Sequence, residues 1–250
     1  MNICVFDTET TSLEKPFCYN IGYTIVDTDR NFFPLIKKDF VVEQVWHNLM
    51  LFSTAYYASK REIYIQRMRA KETVLNKFGY ICQEMIRDFK AFDVSLAFAF
   101  NSSFDEKVFN FNCDWFKCIN PFENITVRDI RGFVHNFIVT RKYKEFCEEN
   151  SYFTESGNYS TTAEIVYRFL FNENFVEEHT ALADALIESE ILSICVHDYG
   201  ANIENEYKTL RSIERTVEKT LHIKTVEQVD FYFDYNKIKV NKDKTEIVLK

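Results

Sequence analysis

Phe6-Asp7-Thr8-Glu9-Thr10-Thr11-Ser12-Leu13 is the stretch of this 250-residue chain that decides its fold and its candidate chemistry. It continues an apolar run at residues 3–6, which predicts a buried strand. Because side chains alternate along a strand, Asp7 and Glu9 project to the same side of the sheet. Two carboxylates on one face repel each other, and a divalent cation with oxygen ligands would neutralise them. Taken alone, however, such a pair is more often a solvated strand end than a metal site.

Length and composition suit one large domain, or a moderate domain with an appendage. Hydrophobic residues make up 46% of the chain and aromatic residues 16%, which is enough for a sizeable core. The net charge of −8 argues against a general polyanion-binding protein, because such affinity depends on Lys and Arg neutralising phosphates. A nuclease is compatible with this charge, since its acidic site recruits metal and its cationic patches can be local.

The seven cysteines form no Cys-x-x-Cys motif and are typical of reduced thiols in a cytosolic protein. Cys113 and Cys118 could be two zinc ligands, but no second pair follows at a suitable spacing, which favours buried thiols. The start of the chain resembles no signal or leader, and no apolar stretch reaches transmembrane length. We therefore expect a soluble, cytoplasmic protein with no membrane partner. Few Gly and Pro with many Phe, Lys, Asn and Ile are typical of an AT-rich genome, for instance a bacteriophage acting in a bacterial host cytoplasm.

The hydrophobic pattern along the chain predicts an α/β protein. A tight meander of three antiparallel strands comes first, and a buried strand that follows a helix is the natural parallel partner of the opening strand. We expect a mixed five-stranded sheet of three antiparallel plus parallel strands, flanked by helices. A boundary near residue 200 separates a domain at 1–200 from a small C-terminal α+β appendage at 201–250. The predicted strands are 19–26, 32–42, 94–100 and 125–130, then 229–235, 237–240 and 246–249; the predicted helices include 73–89, 104–116, 160–171, 181–196 and one from 204.

Asp105 follows the predicted strand at 94–100, within Asn101-Ser102-Ser103-Phe104-Asp105. A parallel strand beside the first one delivers its carboxyl end to the edge of the sheet where Asp7 and Glu9 lie. Asp105 is therefore a candidate third ligand. The alternative is that Ser103 or Asp105 simply caps the following helix.

Asp184 is a lone carboxylate in the apolar opening of a helix, in His179-Thr180-Ala181-Leu182-Ala183-Asp184. Burying it without a partner would be costly, although Glu188 and Glu190 indicate that this helix also has a wet side. His179 precedes the helix and can point at the same site. Such a histidine is more often a surface or capping residue, but beside metal-bound water it becomes a candidate base, with an ordinary pKa of ~6.5.

The three motifs FDTET, NSSFD and HTALAD, in this order and context, resemble those of the DEDDh exonucleases, the group of DnaQ-like proofreading exonucleases, ribonuclease T and oligoribonuclease. The resemblance spans residues 1 to about 198. It implies a ribonuclease H-like fold and 3′→5′ hydrolysis of phosphodiester bonds, with release of 5′-mononucleotides. The spacing His-x4-Asp selects the His subclass.

Carried over by motif, the resemblance implies that four carboxylates bind two Mg²⁺ or Mn²⁺ ions: Asp7, Glu9, Asp105 and Asp184. His179 would deprotonate the attacking water in a two-metal mechanism. The residues implied to bind the terminal nucleotide, with Leu13 as an apolar wedge against its base, are Thr8, Thr10, Leu13, Asn101 and Phe104. Two positions depart from the family: Ser12 stands where many relatives have Gly, and Phe100 where His often precedes Asn.

Several alternatives stay open at this stage. The basic segment at 60–77 is interpreted slightly better as a solvated helix face than as a track for the substrate strand. The expected substrates are 3′ ends of single-stranded or frayed DNA or RNA. Rival functions are a proofreading or nucleic-acid-binding module that works mainly as a polymerase or replication partner, docked through residues 204–250, and an oligoribonuclease-like enzyme for short RNA.

Overall fold

The computed structural model describes residues 1–209 and, further along, three strands at Asp230–Asp234, Lys237–Lys242 and Thr245–Leu249. The chain falls into two compact units, Met1–Tyr207 and Lys208–Lys250. Within the described residues, no helix combines the length and the apolar character needed to cross a membrane.

The first unit is built on a six-stranded mixed sheet with the order β4-β3-β2-β1-β5-β6. The first three strands pair antiparallel, and β5 runs parallel to β1, as the pattern predicts. The mixed α/β fold class is thus confirmed, but the sheet has six strands and not the predicted five. The strands are β1 (Asn2–Thr10), β2 (Cys18–Asp27), β3 (Phe33–Val42), β4 (Val74–Asn76), β5 (Leu96–Ala99) and β6 (Thr126–Asp129).

Strand β4 accounts for the sixth strand and corrects the predicted helix at 73–89. Val74, Leu75 and Asn76 pair in parallel with the end of β3, and the helix begins only at Phe78. A three-residue strand at the edge of a sheet is too short to show an alternating pattern, and Leu75 also fits the helical spacing of the residues that follow. The sequence therefore favoured one continuous helix.

Nine α-helices flank the sheet in the described part of the chain. The predicted cap at 160–162 is confirmed, because the Thr162 hydroxyl accepts a hydrogen bond from the Ile165 amide at 3.4 Å. The helices are α1 (Glu43–Trp46), α2 (Leu49–Phe52), α3 (Arg61–Ala70), α4 (Phe78–Ala91), α5 (Ser102–Phe116), α6 (Ile130–Phe133), α7 (Arg141–Asn150), α8 (Ala163–Leu170) and α9 (Ala181–His197).

The two faces of β1 pack into two separate apolar cores. Phe6 belongs to the core under α4 and α5, whereas Val5 belongs to the core that includes Ile191 and Leu192 of α9. Alternation along the strand then directs Asp7 towards the α9 side and Thr8 towards the α5 side. The site is therefore built where these two layers meet the end of β1.

Strand β2 fixes the start of α9. A Cβ atom on Gly22 would lie 2.0 Å from the Leu182 backbone nitrogen, so only glycine lets the first turn of α9 lie on the strand. Two residues away, the Asn20 side-chain oxygen accepts a hydrogen bond from the Ala181 amide at 2.8 Å. The helix is thus held in a position that presents Asp184 to β1.

The second unit contains three antiparallel strands in sequence order, β7 (Asp230–Asp234), β8 (Lys237–Lys242) and β9 (Thr245–Leu249). The predicted strands at 229–235, 237–240 and 246–249 are confirmed. Residues 204–209 are not helical, and the rest of the helix predicted from 204 lies outside the described residues. The division into domains at 1–200 and 201–250 stays a prediction.

Candidate active site

Three carboxylates meet at the end of β1. Each of Asp7, Glu9 and Asp184 offers an oxygen atom, and these atoms all lie within 4.8 Å of one another. Asp7 and Glu9 come from one face of β1, and Asp184 comes from the first turn of α9, with 5% of its surface exposed. The structure thus brings together three of the four predicted metal ligands.

The raised pKa values of these three acids show that their ionised forms are poorly stabilised without a nearby positive charge. Burial raises the pKa of Asp7 to about 7. Burial, followed by the charge of Asp7, raises the pKa of Glu9 to about 9 and that of Asp184 to about 10. Among the described residues, the buried Oδ1 atom of Asp184 has no hydrogen-bond partner. An orphaned oxygen beside two further carboxylates fits a hard divalent cation.

His179 lies beside this group, as the sequence predicts. Its backbone takes the left-handed conformation (φ 52°), and its Nδ1 atom is 3.3 Å from a carboxylate oxygen of Glu177. Ligand atoms of Glu177, His179 and Asp184 form a second group whose members lie within 4.8 Å of one another. Burial, followed by the charge of Lys60, holds the pKa of His179 below its usual value. Both effects favour the neutral imidazole.

Tyr57 holds the plane of the His179 ring. The two rings stack with centroids 4.6 Å apart and an interplanar angle of 15°. The Lys60 ammonium lies 4.4 Å from the centre of the same Tyr57 ring and donates to the Glu178 carbonyl oxygen. Tyr57 and Lys60 therefore both contact the segment before α9.

Glu177 is a site residue that the sequence analysis missed. Burial, followed by the charge of Asp7, raises its pKa to about 7. It lies in a charged loop without periodicity, so nothing in the hydrophobic pattern marks it. The only available signal is its position two residues before His179, the same i, i+2 spacing that joins Asp7 and Glu9.

Asp105 lies at the first turn of α5, 2% exposed, and is held on the other side of β1. Its Oδ1 atom accepts a hydrogen bond of 2.6 Å from the Thr8 hydroxyl. Among the described residues it belongs to neither group of close ligand atoms, but burial and then the charge of Asp7 raise its pKa well above the ordinary value. The capping alternative is wrong, because Asn101 occupies the cap position of α5.

Glu188 corrects the prediction of a wet side at this part of α9. It lies one turn after Asp184, is only 3% exposed, and accepts a hydrogen bond from the Phe100 amide at 3.3 Å. Burial, followed by the charges of Asp7 and Asp105, raises its pKa well above the ordinary value. The i, i+4 spacing from Asp184 was the signal that could have found it. Glu190, in contrast, is exposed.

The predicted nucleotide-binding residues differ in how far their side chains are exposed. Leu13 is 73% exposed, and its carbonyl oxygen accepts a hydrogen bond of 2.7 Å from Lys107. Thr10 and Phe104 are half-buried, and Asn101 is exposed in the left-handed conformation (φ 65°). The Thr8 hydroxyl is buried and committed to Asp105, so the position of this side chain suits holding that acid rather than contacting a nucleotide.

The basic side chains of the segment at 60–77 have two kinds of surroundings. Arg67 donates to the Thr180 hydroxyl at 2.8 Å and so helps to fix the start of α9. Arg69 and Lys71 are exposed, which agrees with the solvated helix face. The one aromatic residue of this segment, Tyr64, is fully buried in the core.

Comparisons with known proteins give information about the fold of this chain. Neither the family models nor the curated proteins that were searched gave a match to this sequence. Among solved structures, the nuclease domain of 3′hExo, a DEDDh family member bound to rAMP, aligns with a TM-score of 0.57 and 15% identity over 83% of this chain and 97% of that one. E. coli Exonuclease I in complex with a dA16 oligonucleotide aligns with a TM-score of 0.48 and 13% identity over 79% of this chain and 41% of that one. The chain therefore has the mixed α/β fold of a DEDDh-type exonuclease domain.

Proposed function

We propose that this chain is a metal-dependent 3′→5′ exonuclease that hydrolyses phosphodiester bonds at the 3′ end of single-stranded or frayed nucleic acid and releases 5′-mononucleotides. The observation that carries the proposal is the meeting of Asp7, Glu9 and Asp184 at the end of β1, beside His179. The DEDDh-type fold of the chain supports it.

Two divalent cations, Mg²⁺ or Mn²⁺, would be held by the four motif carboxylates: Asp7, Glu9, Asp105 and Asp184. Oxygen ligands of this kind suit both metals. When bound, the ions supply charge stabilisation for the attacking and leaving oxygens. The chain's own contribution is a set of closely spaced acids whose raised pKa values mean that, without metal, they retain protons that a bound cation would displace.

His179 is the proposed general base. A neutral ring can accept a proton, and burial together with Lys60 lowers the pKa of His179. The Glu177 carboxylate, 3.3 Å from Nδ1, favours the ring proton on that nitrogen by its charge, which leaves Nε2 to accept a proton from water. The stacked Tyr57 restricts rotation of the ring. Glu177 and Tyr57 are thus proposed positioning residues.

The substrate end would lie over the loop that follows β1. Leu13 is exposed and apolar, as a wedge against a terminal base requires. Thr10, Asn101 and Phe104 are proposed to line the same pocket. The similar 3′hExo domain was solved with rAMP, a mononucleotide, which supports a nucleotide as the ligand of this pocket. Docking to a polymerase or other replication protein through residues 204–250, and an oligoribonuclease-like preference for short RNA, stay predictions.

The proposal is tested by comparing the wild type with Asp184→Asn and with Asp198→Asn, which changes an exposed acid just past the end of the same helix. On single-stranded oligonucleotides with Mn²⁺, Asp184→Asn should lose at least about 100-fold in rate, since losing even an outer-shell partner of a metal costs roughly 10–100-fold. Asp198→Asn should keep the wild-type rate, and EDTA should stop both active proteins. Equal rates for the wild type and Asp184→Asn would refute the assignment.

A further inference from the structure

Three cysteine side chains, one from α4 and two from the end of α5, meet on the side of the sheet covered by these helices. Cys82 lies in α4, Cys113 lies in the last turn of α5, and Cys118 follows that helix. Their sulfur atoms all lie within 4.8 Å of one another. Sulfurs bound to one tetrahedral zinc ion would be about 3.8 Å apart, given Zn–S bonds of ~2.3 Å. The side chains therefore need to close by at most about 1 Å to surround an ion.

The backbone around Cys118 is shaped to bring it to the other two. After α5, Lys117 takes the left-handed conformation (φ 54°), and the Cys118 amide donates to the Cys113 carbonyl oxygen at 3.1 Å. This turn folds Cys118 back over the helix end. On the facing helix, Gly79 precedes Cys82 by three residues and so shares its face. A Cβ atom on Gly79 would lie 3.3 Å from the Cys118 Cβ, so the absence of a side chain there lets Cys118 approach α4.

Two lysine side chains lie next to this group of cysteines. Three thiolates with one divalent ion would carry one net negative charge, and Lys77 and Lys117 both line the adjoining cavity. That cavity, of about 310 Å³, opens beside Cys118 and has room for water.

We propose that Cys82, Cys113 and Cys118 together bind one zinc ion, with a water molecule from the adjoining cavity as the fourth ligand. Binding releases the thiol protons, so the affinity rises with pH. The ion would join α4 to the C-terminal end of α5, whose first turn carries Asp105. The two sites should bind different metals, because the sulfur ligands here are soft, whereas the carboxylate oxygens at the end of β1 suit hard cations. The proposal is independent of the proposed nuclease activity.

The first test uses the purified full chain, loaded with cobalt as a spectroscopic probe or with zinc, in excess Mg²⁺. Thiolate ligation gives cobalt an intense charge-transfer absorption that carboxylates cannot produce. We expect this absorption and one equivalent of bound zinc in the wild type. Cys82→Ser, Cys113→Ser and Cys118→Ser should each weaken binding by more than the roughly 10–100-fold that an outer-shell loss costs. Cys147→Ser, which alters a buried thiol of α7, should leave both signals unchanged.

A second measurement does not depend on any variant folding. X-ray absorption of the wild-type zinc complex should show three sulfur neighbours around the metal. A shell of oxygen or nitrogen alone would overturn the proposal. So would the absence of the cobalt–thiolate absorption, zinc binding that survives loss of all three thiols, or a disulfide joining two of them in protein purified without reductant.

Discussion

Replacing Asp184 by Asn should stabilise the metal-free protein while abolishing its proposed activity. In the folded protein, burial and then the charge of Asp7 raise the pKa of Asp184 from 3.8 to about 10. The folded state therefore retains a proton that the unfolded chain releases. The stability of the wild type consequently falls as the pH rises from about 4 to about 10, because the unfolded state binds fewer protons over that window. Asn removes this titration.

The size of the effect follows from the same shift. At about pH 8, holding a proton on Asp184 costs up to about 6 kcal/mol, since the pH exceeds the unfolded pKa by about four units at ~1.4 kcal/mol each. The amide of Asn, however, introduces a buried group that is not fully paired, at about 1–3 kcal/mol. We expect a net gain of about 3 kcal/mol in the free energy of unfolding. For a domain of this size, that raises the melting temperature by about 6–12 °C.

The assay is thermal unfolding in EDTA at about pH 8 and at about pH 5. At the lower pH the upper bound falls to about 2 kcal/mol, which the amide cost offsets, so the melting temperatures should nearly coincide. Asp198→Asn should match the wild type within about 0.5 kcal/mol at both values. Added Mg²⁺ or Mn²⁺ should stabilise the wild type more than Asp184→Asn. A variant that melts below the wild type at about pH 8, or a difference independent of pH, would refute the reasoning.

Three further predictions concern other residues of the same region. His179→Ala should lower the turnover rate by about 10²–10⁴-fold. In the wild type, the acid limb of the pH–rate profile should lie below the ordinary histidine pKa of ~6.5. An unchanged rate in the variant, or an acid limb above that value, would contradict the role of base. Glu188→Gln should reduce activity by roughly 10–100-fold while raising the melting temperature in EDTA at alkaline pH, and thermal unfolding that shows no gain would count against its buried-acid character. Gly22→Ala should cost about 1–3 kcal/mol or more in urea unfolding, because the new methyl group meets the backbone of Leu182; wild-type stability would be the opposite result.

Local patterns were sufficient for most of the fold. Alternation along the first three strands and the apolar run before Asn101 predicted the meander and its parallel neighbour, because each signal is contained within one segment. Strand β4 was missed because three residues carry no period. Three of the site residues, Asp7, Glu9 and Asp184, were predictable for the same reason. Each stands next to a buried element, where a carboxylate is unusual.

The residues that were missed depend on contacts between distant segments. Glu188 is buried because α9 lies against the end of β5, where the Phe100 amide reaches it. Glu177 becomes a site residue only when its loop folds over β1. Cys82 lies in α4 and Cys113 near the end of α5, with strand β5 between the two helices, so no local spacing connects the two sulfurs. Tertiary packing, not residue type, determines the role of each.

The most direct measurement is the digestion pattern of a single-stranded oligonucleotide labelled at its 5′ end, with wild-type protein and Mn²⁺ or Mg²⁺, beside a circular strand of the same sequence. The proposed function predicts labelled products that shorten one nucleotide at a time, release of 5′-mononucleotides, and an intact circle. Matched DNA and RNA strands in the same assay report the preferred sugar. Linear DNA and RNA that both stay uncut, or a circle that is cleaved, would contradict a 3′→5′ exonuclease.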